Sequence, residues 1–218
     1  MIYVNGDVYE GGWFENARDG HGTYWRLEYG RHRAEYVGEY RDGKREGFGV
    51  FHDALGQRFE GDWVGNKRHG RGRQTRIANA KVEEYQTSGS QKQPGLDVYE
   101  GDWVENKRTG QGVMQYANGD VFAGGWLNDE KHGEGVHLYA GKGRGYEGVW
   151  DRGTARCGTY REAVEGEAER ITGKAGASSA GLQKKKNSLG KMPSLGLQRS
   201  RRVETESRTA TLRECGAQ

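Results

Sequence analysis

The side chains in this sequence that could do chemistry sit in a recurring context, and the context argues against catalysis. Of six histidines, His69 and His132 each precede the first glycine of a Gly-x-Gly pair, and His21 follows one. Imidazoles can ligate metal or move protons. Yet Asp19, Glu46 and Thr109 fill the same place elsewhere, so it reads as a tolerant turn position and not a ligand set. Gly141-Lys-Gly143-Arg-Gly145 has the composition of a phosphate loop. It is shorter than the Walker pattern and lies between two strand-like stretches, so a glycine-rich hairpin turn is expected. No nucleophile elbow, kinase signature or HExxH helix occurs. The expectation is therefore no catalytic residue, no cofactor, no metal and no small-molecule substrate.

What does recur is positive charge beside aromatic rings. Arg18, Lys44 and Arg45, Lys67 and Arg68, Lys107 and Arg108, and Lys131 each follow an aromatic residue at the same short interval. Stacked two strand spacings apart, at about 10 Å, they would form a basic ladder suited to a filament or to phosphates. Its plain alternative is a solvated rim, balanced by Asp19, Glu46, Glu105 and Glu130.

The elements that place these bases are written six times. Tyr9-x-Gly-x-Trp13, Tyr36-x-Gly-x-Tyr40, Phe59-x-Gly-x-Trp63, Tyr99-x-Gly-x-Trp103, Phe122-x-Gly-x-Trp126 and Tyr146-x-Gly-x-Trp150 share one pattern. In five of them a glycine pair follows: Gly20/Gly22, Gly47/Gly49, Gly70/Gly72, Gly110/Gly112 and Gly133/Gly135. The units start 27, 23, 40, 23 and 24 residues apart. A period of this size signals a stacked array of small units. The sixth unit has Cys157 and Thr159 in place of the glycine pair, as befits a capping repeat.

Alternation within a strand puts Phe122, Gly124 and Trp126 on one face, and Gly110, Gly112, Met114 and Tyr116 on one face of the strand before. Asn118-Gly119 between them predicts a hairpin whose two central residues take positive φ. Each unit then reads as strand, six-residue loop, strand, and the whole as an antiparallel meander. A glycine inside a strand costs about 0.5–1 kcal/mol relative to alanine. It is tolerated where another group approaches closely, so the rings are expected to lie over neighbouring glycines.

The motif Tyr99-x-Gly-x-Trp103-x-x-Asn106-x-Arg108-x-Gly110-x-Gly112 resembles the MORN repeat, over about residues 3–160. The resemblance implies an all-β fold, an elongated single-layer twisted antiparallel sheet of stacked hairpins. It also implies a non-enzymatic scaffold or adaptor. On this reading Tyr9, Trp13, Tyr36, Tyr40, Phe59, Trp63, Tyr99, Trp103, Phe122, Trp126, Tyr146 and Trp150 form a face for a protein partner. The stretch Tyr146–Thr159 is similar to the closing repeat of a sperm-associated animal member of the family. That implies a cytoplasmic, cytoskeletal setting in a flagellum or axoneme. The alternative is a peripheral module binding anionic phospholipids, phosphoinositides among them, through the basic loops and tail.

Domain organisation follows. Residues 1–160 form the repeat sheet, with a partial repeat at 1–8 and units starting at 9, 36, 59, 99, 122 and 146. An extended loop is inserted at 75–97. Tyr3-Val-Asn-Gly-Asp7 parallels Tyr116-Ala-Asn-Gly-Asp120, so the sheet opens halfway through a unit. Its first strand is expected to offer an open edge to a preceding strand or to a second copy. Residues 161–218 carry 12 bases and 7 acids, net +5; from the chain's 34 and 31 this leaves 22 and 24, net −2, for 1–160. A short helix is expected over 161–172. Beyond it lies a disordered basic arm with Lys184, Lys185, Lys186, Arg199, Arg201 and Arg202. Such an arm suits acidic protein tails, lipid headgroups or nucleic acid, or serves only solubility. No run long enough to span a bilayer as a helix is present.

Overall fold

The computed structural model describes residues 1–78 and 95–173. Twelve strands form one open antiparallel sheet in sequence order. They are β1 (Val8–Phe14), β2 (Ala17–Glu28), β3 (Arg31–Arg41), β4 (Lys44–His52), β5 (Arg58–Val64) and β6 (Lys67–Ile77). The second half comprises β7 (Leu96–Val104), β8 (Lys107–Gln115), β9 (Val121–Leu127), β10 (Glu130–Tyr139), β11 (Arg144–Asp151) and β12 (Thr154–Glu162). The meander and single layer expected from the sequence are what the chain adopts.

One glycine from each strand stands opposite the glycine of the next. The row runs Gly11, Gly22, Gly38, Gly49, Gly61, Gly72, Gly101, Gly112, Gly124, Gly135, Gly148 and Gly158. The first aromatic of each unit lies across this row. A Cβ on Gly112 would sit 2.5 Å from Cε2 and Cζ of Tyr99, and one on Gly72 would sit 2.5 Å from Cε2 of Phe59. The strands are bare there because a ring occupies the space. The sixth unit keeps the row with Gly158, so its missing pair is an offset and not a loss.

The first glycine of each pair has a different task. Between Gly101 and Trp103 of β7, β8 carries extra residues, and the register jumps from Gly112 to Arg108. This bulge needs a positive φ, supplied by Gly20, Gly47, Gly70, Gly110 and Gly133. Asp102 closes the bulge by accepting the Gln111 amide at 2.9 Å, and Asp62 does so for Arg71 at 3.0 Å. Gly110 and Gly112 therefore do not share a ring, contrary to the alternation argument. In β12 the bulge is a residue shorter, and no glycine is needed at 157.

The expected six-residue loop is a two-residue turn. Glu15-Asn16, Asp42-Gly43, Gly65-Asn66, Glu105-Asn106, Asn128-Asp129 and Arg152-Gly153 all have positive φ at both positions, the I′ geometry that matches strand twist. At Asn118-Gly119 only the glycine has positive φ. There the Asn118 side chain holds Asp120 instead, donating to its carboxylate at 3.0 Å. The insertion is strand at both flanks, because Thr75–Ile77 pair with Val98–Leu96; its centre, 79–94, lies outside the described residues. The helix is shorter than expected. β12 runs on to Glu162, and α1 spans only Glu167–Ile171.

The rings form one unbroken chain. Trp13, Tyr9, Tyr40, Tyr36, Trp63, Phe59, Trp103, Tyr99, Trp126, Phe122, Trp150, Tyr146 and Tyr160 meet in that order, with centroids 5.0–5.5 Å apart and mostly edge to face. Such pairs add about 0.5–1.5 kcal/mol each beyond the area they bury. The chain frays where partners end: Trp103 is 2% exposed, but Trp13 is 43% and Tyr160 69%.

Met1–Tyr3 cover part of the β1 edge. Met1 and Tyr9 exchange backbone hydrogen bonds of 2.9 Å, and Ile2 bridges Val8. Gly11–Phe14 have no strand on their outer side among the described residues.

This packing makes distinct demands on three positions. Gly112→Ala should lower stability by about 1–3 kcal/mol through overpacking, and Gly112→Val by more. Trp103→Ala should cost about 3–5 kcal/mol and unfold neighbouring units with it, whereas His69→Ala should stay within about 0.5 kcal/mol. Urea denaturation of the four variants measures this; equal shifts at all three positions would contradict the packing.

Candidate functional site

The twelve rings suggested as a partner-binding face are the core of the sheet. Tyr9, Tyr36, Tyr40, Phe59, Trp63, Tyr99, Trp103, Phe122, Trp126, Tyr146 and Trp150 are all buried, and Trp13 alone is exposed. A single-layer sheet has no second layer to bury them. They bury one another, and the bases complete the cover. Their flat contact with a partner is thus corrected: the outward surface over the rings is cationic.

The basic ladder divides by a single position in the sequence. Five residues after the second aromatic, Arg18, Arg45, Arg68, Arg108 and Lys131 are half-buried over the rings. The Arg68 guanidinium carbon lies 4.5 Å from the Trp103 centroid, that of Arg108 4.5 Å from Trp126 and that of Arg45 4.6 Å from Trp63. Arg18 covers Tyr40 at 4.8 Å, and Lys131 Nζ covers Phe122 at 4.6 Å. Each of the four arginines bridges two hairpins, because its ring belongs to the following unit, as Trp103 does for Arg68, whereas Lys131 lies over Phe122 of its own unit and Tyr116 of the one before. Cation–π contacts of this partly desolvated kind are worth about 0.5–2 kcal/mol. One position earlier, Lys44, Lys67 and Lys107 point to solvent.

Hydrogen bonds make each covering base a clamp. The backbone carbonyls of Arg18, Arg45, Arg68, Arg108 and Lys131 accept from Gly43, Asn66, Asn106, Asp129 and Gly153 of the next turn, at 2.9–3.0 Å. In return the amides of Arg45, Arg68 and Arg108 donate to the side chains of Asn66, Asn106 and Asp129 at 2.9–3.1 Å. Guanidinium groups add bonds to the turn carbonyls: Arg18 to Gly43 at 2.7 Å, Arg68 to Asn106 at 3.0 Å and Arg108 to Asp129 at 2.8 Å. This explains the asparagine three residues after the tryptophan. It caps the previous turn as well as forming its own.

The opposite edge is pinned by acids. Asp7 accepts the Leu27 amide, Asp97 that of Ala117 and Asp120 that of Ala140, at 2.9–3.0 Å. The Tyr24 hydroxyl, 2.6 Å from Asp7, holds that carboxylate below its ordinary range. Indoles complete the weave. Trp63, Trp103 and Trp126 donate Nε1–H to the carbonyls of Gly49, Gly72 and Gly112 at 3.1–3.2 Å.

The fifth clamp differs chemically. Lys131 Nζ lies 3.3 Å from Nδ1 of His137, which stacks on Tyr139 at 4.4 Å. Burial pushes Lys131 down to about 8 and His137 down to about 4. The imidazole is therefore neutral at pH 7 and acts as a packing ring. His69 and His132 sit at bulges, as their tolerant position suggested, and no cluster of three or more metal-ligating residues forms among the described residues. Lys184, Lys185, Lys186, Arg199, Arg201 and Arg202 lie outside the described residues.

Two shallow hollows open on the cation-covered face. One, of about 220 Å³, is walled by Arg18, Arg26, Arg45, Tyr24, Tyr40 and Asn66 among others. The next, of about 350 Å³, shares Arg45 and Asn66 and adds Arg58, Arg68, Gln74 and Asn106. Neither encloses a space in which a reaction could be shielded from water. They suit side chains of a molecule laid across the sheet. Sequence reasoning named most of the basic residues here but gave no reason to separate Arg45 from Lys44. The signal was the fixed interval of five from the aromatic residue.

Arg108→Ala and Lys107→Ala each remove one positive charge from adjacent positions. The first should cost about 2–3 kcal/mol, having lost a cation–π cover and its hydrogen bonds to Asp129. The second should stay within about 0.5 kcal/mol. Thermal melting at matched ionic strength distinguishes a clamp from a solvated rim.

A family model for the MORN repeat matches residues 9–26, 36–57, 59–76, 99–121 and 122–144. A stretch of 49 residues is 45% identical to MORN repeat-containing protein 3 of Xenopus laevis, covering 22% of this chain and 19% of that protein. The matched stretch thus spans about a fifth of the relative's length. Repeats of this kind are non-catalytic and mediate protein or lipid interactions. The sheet is thus built of MORN repeats, matched in five stretches between residues 9 and 144.

Proposed function

We propose that this protein is a non-enzymatic scaffold that docks a protein partner along the cation-covered ring face, in the cytoplasm and on the cytoskeleton of a flagellum or axoneme. One observation carries the docking role: neighbouring hairpins are locked at both edges while the polar hollows between their bases stay open. A ribbon clamped in this way holds those hollows at a fixed spacing of about 10 Å. An extended chain can then engage several without the sheet paying new ordering entropy. The flagellar setting is supported by the likeness of Tyr146–Thr159 to a sperm-associated member of the family.

A second reading has its own observation. Phe14, Val64, Val104 and Leu127 are exposed, each directly after the second aromatic of its unit. Val64 pairs with Lys67 and Val104 with Lys107 across the turns. Apolar residues beside lysines along one edge favour an anionic phospholipid surface, phosphoinositides included.

Co-sedimentation separates the two. Recovery with detergent-extracted cytoskeleton, and none with anionic vesicles, is the expected outcome. Salt-sensitive pelleting with vesicles, abolished by Val104→Glu with Lys107→Glu, would establish the lipid reading instead.

A further inference from the structure

The second unit carries Tyr40 where the others have tryptophan, and the exchange has consequences around it. The indoles of Trp63, Trp103 and Trp126 donate to a glycine carbonyl of the preceding strand. The Tyr40 hydroxyl makes no hydrogen bond among the described residues, although the residue is only 4% exposed and lines the smaller hollow. Beside it, Arg45 is the exception among the four covering arginines. Arg18, Arg68 and Arg108 each donate to the carbonyl of the next turn. The Arg45 guanidinium has neither a carbonyl nor a carboxylate partner among the described residues, and it borders both hollows. Its cation rests on Tyr36, Phe51 and Trp63 alone.

Donors left unused among the described residues, held in a half-buried place, suit an acceptor brought from beyond those residues. The charge balance sets its sign. Of the cations lining the smaller hollow, Arg26 is paired with Glu35 at 2.8 Å. Glu46 is engaged by the Gly65 amide at 2.9 Å. Arg18 and Arg45 have no carboxylate partner among the described residues, which leaves two positive charges and a phenol facing one opening of about 220 Å³. The adjoining hollow sets Arg45, Arg58 and Arg68 against one carboxylate, Asp53, which accepts the Leu55 and Gln57 amides at 2.8 Å.

We propose that the hollow bounded by Tyr40, Arg18 and Arg45 is a carboxylate-binding site, and that its ligand is an acidic side chain of an extended protein segment crossing the second and third hairpins. The proposal rests on the reading of this face as a protein-docking surface and names the chemistry of the partner. An extended segment in polyproline II geometry repeats every three residues at about 3.1 Å each, so side chains three apart share a face and stand about 9 Å from each other, close to one hairpin repeat. Acidic residues three apart would reach the two hollows in turn. The Arg45 guanidinium offers a planar pair of donors to one carboxylate, and the Tyr40 hydroxyl adds a third.

The test uses fluorescent hexaglutamate, with hexaglutamine and phosphatidylserine vesicles as comparisons, on the full chain. Hexaglutamate should bind in a salt-sensitive manner and hexaglutamine should not. Arg45→Met keeps an apolar stem over the rings and should weaken binding about tenfold. Tyr40→Phe removes only the hydroxyl and should weaken it about threefold. Arg45→Lys should retain part of the affinity, and Arg144→Met, remote on β11, should change it less than twofold. Should Arg45→Met fail to fold by its thermal melt, Tyr40→Phe and Arg45→Lys decide the matter. Equal affinity across Tyr40→Phe, Arg45→Lys and wild type, or Arg45-dependent vesicle binding without hexaglutamate binding, overturns the site. Cytoskeletal co-sedimentation that persists in Arg45→Met would overturn this site while leaving the scaffold intact.

Discussion

The contact between an aromatic ring and bare backbone sets the terms for everything else in this molecule. A sheet of one layer cannot bury large side chains between layers, as sandwiches do. Here the strands give up their own side chains along one row, and the rings of each hairpin lie down into the trough. The cost is a glycine in every strand, and the return is a buried ring of about 150–250 Å² for each. The trade works only in series. Trp63 needs Tyr36 and Gly49 from the hairpin before it, and Phe59 needs Gly72 from the strand after it. No hairpin is complete alone, and the two ends, Trp13 and Tyr160, display what an interior unit would lose.

A second constraint follows from the first. Rings lying in a trough still have one face toward water, and the fold covers it with cations instead of a further layer of apolar side chains. Arginine suits the task because its flat guanidinium stacks on a ring while its edge donates to a carbonyl. The same side chain thus seals a core and joins two turns. It also makes the surface over the core positive and polar, unlike the apolar patches that usually mark docking sites. A partner meets guanidinium groups, amides and hydroxyls, with the aromatic rings beneath them.

Much of this was legible in the residues. The aromatic-x-Gly-x-aromatic period gave the units, alternation gave the shared face, and glycine beneath rings followed from the cost of glycine in strands. Alternation failed at Gly110 and Gly112 because a bulge interrupts it, and a bulge leaves no mark in composition. The two-residue turns were missed because Glu15 and Arg152 take positive φ, which their side chains do not advertise; the twist of the flanking strands imposes it. The expected exposure of the rings failed for a further reason. In a single-layer sheet exposure depends on what reaches over from the next hairpin, and that is fixed by a register the sequence does not display. The difference between Arg45 and Lys44 is legible only once that register is known.

The most direct test of the ring-on-backbone account is the NMR chemical shift of glycine α-protons. Protons of Gly22, Gly49, Gly72, Gly112 and Gly135, which lie beneath rings, should be displaced far upfield by ring currents. Those of Gly43, Gly65 and Gly153, where an added Cβ would meet nothing within 4 Å, should stay near the values of an unstructured chain. Similar unshifted resonances in both sets would contradict the account, because they would mean that the rings do not rest on the glycine row.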